Sequence, residues 1–161
     1  MNKYQVYITI PLYNDAKMIL KVIKSLKDKG YNNIVVVDDV SKDNGYDVVK
    51  KNTDVIVVKH IINRGQGAAL QTAMEIAIDK GAKYIVHFDS DGQHNPKDIQ
   101  PMLNTLIEGN YDIVLGSRFL KKNNIPLNPV FINVSLQSLS LESKAQTYGP
   151  RRINYKMFLT T

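Results

Sequence analysis

The feature that most constrains the fold is the alternation of short, almost wholly apolar segments with longer amphipathic ones. The segments IVVV, VIVV and YIVHF place hydrophobic side chains at successive positions, so strands formed from them would be apolar on both faces. Between these segments, apolar residues recur at spacings of three and four, which is the period of a helix with one buried face. Strands that are buried on both faces and separated by helices predict a parallel sheet covered on both sides.

This alternation predicts five strands and four helices. The predicted strands are Tyr4–Ile10, Ile34–Val37, Val55–Val58, Tyr84–Phe88 and Tyr111–Leu115, and the predicted helices are Asp15–Lys29, Asn44–Lys51, Gly67–Lys80 and Pro96–Glu108. Because crossover connections are right-handed, this order predicts a doubly wound, mainly parallel α/β domain. We predict that residues 1–120 form its core. Residues 121–161, where prolines interrupt every period, are predicted to be an irregular segment of the same domain.

The charge of the chain is concentrated at its C-terminal end. Residues 1–116 contain 14 basic and 14 acidic side chains, whereas residues 117–161 contain seven basic side chains and one acidic one. Such a basic segment suits a phosphate ligand, nucleic acid or an anionic membrane surface. The chain has no cysteine, which excludes disulfides and thiolate metal sites. It also has neither a signal-peptide pattern nor an apolar run of the roughly 20 residues that a membrane span needs, so we expect a cytoplasmic protein.

Polar or glycine-rich sequence follows every predicted strand. In chain order these stretches are PLYND, DDVSKD, HIINRGQG, DSDGQH and GSRF. Ligands of doubly wound sheets bind beyond the carboxyl ends of the strands, which is where all five stretches would lie. The sequence therefore predicts a ligand site at this edge of the sheet.

The stretch DSDGQH carries two carboxylates, Asp89 and Asp91, separated only by Ser90. Mg²⁺ uses one or two carboxylates together with substrate phosphates, so a cation bound to a diphosphate would hold these two acids together. Gln93 could supply a further oxygen. The alternative is a turn in which the Asp and Ser side chains bond their own backbone.

The neighbouring stretches suggest how a nucleotide would be held. Asp38 and Asp39 could accept hydrogen bonds from a base N–H or ribose hydroxyls, or could cap the following helix. Arg64, Gly65 and Gly67 precede or open a helix whose free amides and dipole favour an anion, although a plain glycine-rich turn is the alternative.

Further cationic and imidazole side chains belong to the same stretches. Arg118 in GSRF could clamp a phosphate or form a surface ion pair. Among the histidines, His87 is expected to be structural, His94 to orient a ligand or cap a helix, and His60 has no predicted partner.

The motifs IPLYND, VVVDDVSKD, NRGQGAAL, FDSDGQHNP and LGSRF occur in this order between residues 8 and 119. Together they resemble the family-two inverting glycosyltransferases, in particular the dolichyl-phosphate mannose synthase-like branch of polyprenyl-phosphate glycosyltransferases. The resemblance implies a GT-A fold, a UDP- or GDP-linked sugar donor, and Mg²⁺ or Mn²⁺ on the diphosphate.

The resemblance implies that Pro11, Tyr13, Asn14 and one or both of Asp38 and Asp39 hold the nucleoside. With the glycine loop and the first metal-binding acid included, the candidate nucleotide-binding residues are Pro11, Tyr13, Asn14, Asp38, Asp39, Arg64, Gly65, Gly67 and Asp89. The resemblance implies that Asp89, Asp91 and Gln93 hold the metal, and that Asp91 and Arg118 are catalytic. Arg118, Arg151 and Arg152 are the candidate ligands of an acceptor phosphate.

After residue 120 the resemblance weakens. Pro129 stands where an arginine for the acceptor phosphate is expected, and Ala145 stands where an aspartate is expected, although Gly149 and Arg151 still match. A sugar hydroxyl needs a general base, whereas a lipid monophosphate is already ionised near neutral pH. We therefore expect a polyprenyl phosphate acceptor, met peripherally at the inner membrane face, and no nucleic acid.

Two other classes of protein remain open. The departures at Pro129 and Ala145 would also suit a non-catalytic nucleotide-sugar-binding domain or an inactive fragment. A nucleotidyltransferase or dinucleotide enzyme could use the GQG sequence for phosphate, but that loop should then follow the first strand. The sequence leaves the oligomeric state open.

Overall fold

The computed structural model describes residues 5–116 and the strand Lys156–Thr160. The strands are β1 (Val6–Leu12), β2 (Ile34–Asp38), β3 (Ile56–Lys59), β4 (Tyr84–His87), β5 (Ile113–Gly116) and β6 (Lys156–Thr160). The helices are α1 (Ala16–Lys27), α2 (Gly45–Asn52), α3 (Gln66–Asp79) and α4 (Ile99–Glu108), the last preceded by a 3-10 turn over Pro96–Asp98. Every predicted strand and helix is present, with its ends shifted by a few residues.

The strands form one sheet in the order β3-β2-β1-β4-β6-β5, and every neighbouring pair is parallel. The chain runs outward from β1 to β3 and then returns to place β4 on the other side of β1. This reversal makes the β1–β4 boundary the switch point of a doubly wound sheet, where ligand sites of such folds lie. The predicted fold class is confirmed.

One strand departs from the prediction. Residues 121–161 were expected to be irregular, and this is wrong for Lys156–Thr160, which form β6 between β4 and β5. The sequence KMFLT contains only a short apolar run, too short to signal a strand by itself. The division at residue 120 and the rest of this segment lie outside the described residues.

Both faces of the sheet are covered by helices. On one face, α1, α2 and α4 pack on alternate residues of the central strands, including Ile8, Ile10 and Val36. On the other face, α3 packs on β1, β2 and β4 through alanines only four residues apart, Ala69, Ala73 and Ala77. The described helices are 8 to 14 residues long, and none of them is long and apolar enough to cross a membrane.

Candidate functional site

The sheet opens between β1 and β4 because β1 runs further than its partner. Their pairing ends at Thr9 and His87, followed by a last hydrogen bond of 3.0 Å from the Phe88 amide to the Thr9 carbonyl. The Leu12 carbonyl accepts from the Asp39 amide at 2.9 Å, on the β2 side, so the backbone of the preceding Pro11 faces the β4 side. Proline has no N–H to leave unpaired there, and β1 can therefore continue past the end of β4.

A cavity of about 450 Å³ occupies this opening, at the carboxyl ends of the first four strands. Its size suits a small-molecule ligand. Four carboxylates line it, and they come from three different strand ends. The lining residues are Pro11, Leu12, Tyr13, Asp15, Asp39, Asn63, Gly65, Gln66, Ala69, Asp89, Ser90 and Asp91.

Asp39 holds the loop between β3 and α3. Its carboxylate accepts the Gly65 amide at 2.7 Å, the Arg64 amide at 2.9 Å and His60 Nδ1 at 2.7 Å. Burial by itself would raise the pKa of Asp39, but these hydrogen bonds outweigh it and hold this pKa below its usual range. Asp39 is therefore an anion at neutral pH, and it lines the cavity as the sequence predicted for a nucleoside ligand.

His60 forms two side-chain hydrogen bonds that the sequence did not predict. Its Nε2 lies 3.0 Å from Thr72 Oγ1 on α3, while its Nδ1 bonds Asp39 at the end of β2. Its side chain is only 8% exposed. These partners are 12 and 21 residues away along the chain, so no local pattern could indicate them.

Two predicted nucleoside ligands lie elsewhere. Asp38 is fully buried outside the cavity lining, and its Oδ1 accepts the Ser41 amide at 2.9 Å. Asn14 adopts a left-handed conformation with φ of 59°. Its Oδ1 accepts the Lys42 amide at 2.8 Å, and its own amide donates to Ser41 Oγ at 3.0 Å. Both side chains thus fix turns outside the cavity lining. The sequence left open which of Asp38 and Asp39 holds the nucleoside, and the nucleoside role of Asn14 stays a prediction.

The loop that contains Arg64 and Gly65 binds the carboxylate of Asp39 and not a ligand anion. The amides of Arg64 and Gly65 donate to the Asp39 carboxylate and are not free for a phosphate. The Arg64 side chain is exposed, and neither Arg64 nor Gly67 is among the residues that line the cavity. Of this predicted set, only Gly65 lies at the cavity.

The two carboxylates that follow β4 both line the cavity. Asp89 is held by His94 Nε2 at 2.8 Å and by Gln66 Nε2 at 3.4 Å. Asp91 accepts the Gln93 amide at 2.8 Å, which is a local turn contact. Gln93 itself lines a neighbouring groove beside α1 and not the cavity, and its role as a metal ligand stays a prediction.

The carboxylate oxygens at the cavity suit a metal ion that also binds a ligand's phosphate groups. Within residues 5–116, no three His, Asp or Glu side chains are arranged to hold a metal by themselves. Asp89 and Asp91 offer two carboxylates, which is what Mg²⁺ uses when substrate phosphates complete its shell. The arrangement therefore suits an ion shared with a bound diphosphate. The candidate residues Arg118, Arg151 and Arg152 lie outside the described part of the chain.

The sequence missed a polar residue at the cavity wall. Asp15 directly precedes α1, and its Oδ2 accepts from Ser90 Oγ at 2.5 Å. This bond ties the start of α1 to the turn between the two metal-ligand candidates. The sequence does show an aspartate at the start of a predicted helix, but a helix cap explains an aspartate there without any role at a ligand site.

A doubly wound sheet with an acidic crevice at its switch point defines a small-molecule-binding α/β protein. The sequence model of glycosyl transferase family 2 matches residues 7–159, and the chain belongs to this family. The resemblance to its polyprenyl-phosphate branch and the GT-A fold are thereby confirmed.

Three relatives illustrate this placement. An uncharacterised protein of Methanocaldococcus jannaschii is 42% identical over 81% of this chain and 53% of its own length. The UDP-N-acetylglucosamine–dolichyl-phosphate N-acetylglucosaminyltransferase of Methanococcus voltae is 36% identical, over 84% of this chain and 61% of its own. The undecaprenyl-phosphate mannosyltransferase of Micrococcus luteus is 27% identical, over 71% of this chain and 48% of its own length. The chain thus spans about half the length of the curated relatives it matches.

Proposed function

We propose that this chain is the donor-binding part of a glycosyltransferase. The enzyme would move a sugar from a nucleoside-diphosphate sugar, which binds in the crevice, to a polyprenyl phosphate. One observation carries the proposal: the crevice has the Asp39 carboxylate on the β2 side and the Asp89 and Asp91 carboxylates on the β4 side. A nucleoside diphosphate has N–H and hydroxyl donors at one end and phosphate oxygens at the other, which matches this division. The name of the Methanococcus voltae relative makes UDP-linked sugars the first candidates, and GDP-linked sugars the second.

The chemistry assigned to the chain follows from these residues. Asp89 and Asp91 would hold Mg²⁺ or Mn²⁺, with Asp89 oriented by His94. When bound, such an ion neutralises the charge that develops on the departing diphosphate. Tyr13 lies at the cavity with 48% of its surface exposed, so its ring is available to a nucleobase.

The acceptor is the second half of the proposal. A polyprenyl monophosphate is largely ionised near neutral pH and attacks without a general base. It needs cations to position it, and residues 117–161 contain seven basic side chains. The printed names of the relatives refer to dolichyl and undecaprenyl phosphates, which supports the same acceptor class here. The protein would then work at the cytoplasmic face of a membrane, as a peripheral component.

The donor site is tested by thermal unfolding with UDP or GDP, in Mn²⁺ or in EDTA. A ligand at 100 times its Kd should add about 2.7 kcal/mol to the free energy of unfolding. We expect this stabilisation only with the metal, and we expect Asp91→Asn to abolish it. The exposed Asp112→Asn, which changes the net charge equally away from the cavity, is the matched control. Equal stabilisation with and without EDTA would contradict the metal assignment.

The acceptor is tested by incubating the protein with a labelled sugar nucleotide, Mn²⁺ and either a polyprenyl phosphate or a set of oligosaccharides. We expect any transfer to go to the lipid phosphate. Efficient transfer to an oligosaccharide hydroxyl would refute the acceptor assignment. Donor binding without transfer to either would favour the alternative of a nucleotide-sugar-binding domain.

A further inference from the structure

His60 is held at three points that are independent of any ligand. Its backbone amide donates to the Asp38 carbonyl at 2.9 Å, which extends the pairing of β3 with β2. Its Nε2 lies 3.0 Å from Thr72 Oγ1 on α3, and its Nδ1 lies 2.7 Å from Asp39 Oδ1. The ring therefore has a fixed position between the sheet and α3, and it is almost completely buried.

The other donors to Asp39 lie at the start of α3, where the Gly65 carbonyl accepts the Ala68 and Ala69 amides at 3.1 and 3.2 Å. These donors are the amides of Arg64 and Gly65, which belong to the exposed loop that Asp39 itself holds in place. A carboxylate has about four acceptor positions on its two oxygens. His60 and the Arg64 amide occupy both positions of Oδ1, whereas Oδ2 accepts the Gly65 amide at 2.7 Å and the same Arg64 amide only at 3.2 Å. The remaining acceptor capacity therefore lies on Oδ2 of a side chain that lines the cavity. The direction of that remaining position depends on how the carboxylate plane is fixed.

We propose that His60 is a positioning residue for donor recognition: by fixing the Asp39 carboxylate, it aims the remaining acceptor position at an N–H or hydroxyl donor of the nucleoside. With Asp39 ionised, Nδ1 carries the proton and donates. Nε2 bonds the Thr72 hydroxyl at 3.0 Å. This inference rests on the proposed donor site, and it makes nucleoside recognition separable from diphosphate recognition, because among the described residues the His60 side chain bonds Asp39 and Thr72 and not Asp89 or Asp91.

Two substitutions of the same residue separate its two hydrogen bonds. The amide nitrogen of asparagine takes the place of Nδ1, so His60→Asn retains a donor to Asp39 and loses the bond to Thr72. The amide nitrogen of glutamine takes the place of Nε2, so His60→Gln does the reverse. Thr72→Val removes the bond to Nε2 without changing residue 60. Circular dichroism and thermal unfolding establish that each variant is folded.

The readout is the Kd of two probes in Mg²⁺, measured by calorimetry on the whole chain. One probe is whichever of UDP and GDP the wild-type protein binds more tightly, and the other is inorganic diphosphate, which has no nucleoside. We expect His60→Gln to weaken the nucleotide roughly tenfold, and His60→Asn and Thr72→Val to weaken it no more than about threefold. Binding of inorganic diphosphate should stay within about twofold in all three variants.

The outcomes distinguish this inference from the proposed function. Wild-type nucleotide affinity in His60→Gln would overturn the positioning role alone. Equal weakening of the nucleotide and inorganic diphosphate would also overturn it, because His60 would then support the fold and not the nucleoside. A wild-type protein that binds neither UDP nor GDP would overturn the proposed function, and the inference with it.

Discussion

Asp39 and His87 are both buried close to the crevice, and their surroundings favour different charge states. Three hydrogen-bond donors surround the Asp39 carboxylate, so that burial is outweighed and its pKa stays below the usual range. Burial dominates at His87 and lowers its pKa to about 4, against a smaller opposing effect of Asp89. The His87 ring is therefore neutral at physiological pH, with Nδ1 lying 2.5 Å from Thr9 Oγ1. The sequence predicted the structural role of His87 that this burial supports.

The depressed pKa of His87 predicts a loss of stability in weak acid. In the unfolded chain the ring titrates near its ordinary value of 6.5, and in the folded protein near 4. The unfolded state therefore takes up the proton first, and stability that is complete above pH 6.5 is lost as pH falls towards 4. This shift corresponds to about 3 kcal/mol.

The measurement is urea unfolding between pH 7.5 and 4 for the wild-type protein and His87→Asn. Asparagine retains a polar atom near Nδ1 for Thr9 and does not titrate. We expect the difference in unfolding free energy between the two proteins to shift by about 3 kcal/mol in favour of the variant over this range. Parallel pH profiles would show that His87 is not the group responsible.

At the scale of an element, α3 shows how a single helix covers its face of the sheet. Ala69, Ala73 and Ala77 are completely buried against the central strands. Side chains of this size let the helix backbone lie close to the sheet, which also brings the start of α3 to the cavity. Gln66 and Ala69, in its first turn, line that cavity. The packing of α3 and the shape of the site are thus coupled.

Enlarging Ala73, the middle one of the three alanines, should disturb both the packing of α3 on the sheet and the shape of the cavity. Ala73→Leu adds three carbons at a fully buried position against the sheet, and overpacking of this kind costs about 1–3 kcal/mol. The cost should appear as a lower urea midpoint and as weaker nucleotide binding. Gln71→Leu places the same side chain on the exposed face of α3 and is the matched control. A variant with wild-type midpoint would mean that α3 moves away from the sheet without cost.

Periodicity was sufficient to predict the elements but not every contact between them. The first strand was predicted to end at Ile10, whereas β1 continues to Leu12, because a proline signals a strand end unless its backbone faces an unpaired edge. Asp89 and Asp91 were predicted because they lie two residues apart at a strand end. The pairing of Asp39 with His60 and the position of Asp15 at the cavity depend on which strands are neighbours. The order of the strands in the sheet is not readable from the periodicity of a single sequence.

At the scale of the whole molecule, the last described strand completes the sheet. β6 pairs with β4 on one side and β5 on the other, so it connects the crevice-forming strand to the edge of the sheet. β5 has no other strand partner in the described residues, and α4 leads directly into it. The part of the fold that follows the crevice therefore depends on a segment that is far away in sequence.

Removing β6 should release β5 while leaving β1, β2 and β3 paired with one another. In a chain that ends at Tyr155, β5 loses its parallel partner, and those amides of Ile113–Gly116 that face β6 should exchange with solvent at least about tenfold faster. The amides of β1 and β2, which pair with each other and with β3, should keep most of their protection. Hydrogen exchange followed by mass spectrometry measures both regions in one experiment, and a chain that lacks only Thr161 is the control. Unchanged protection at β5 would mean that its stability comes from packing on α4 and not from β6, and loss of protection throughout would mean that the sheet folds as a single cooperative unit.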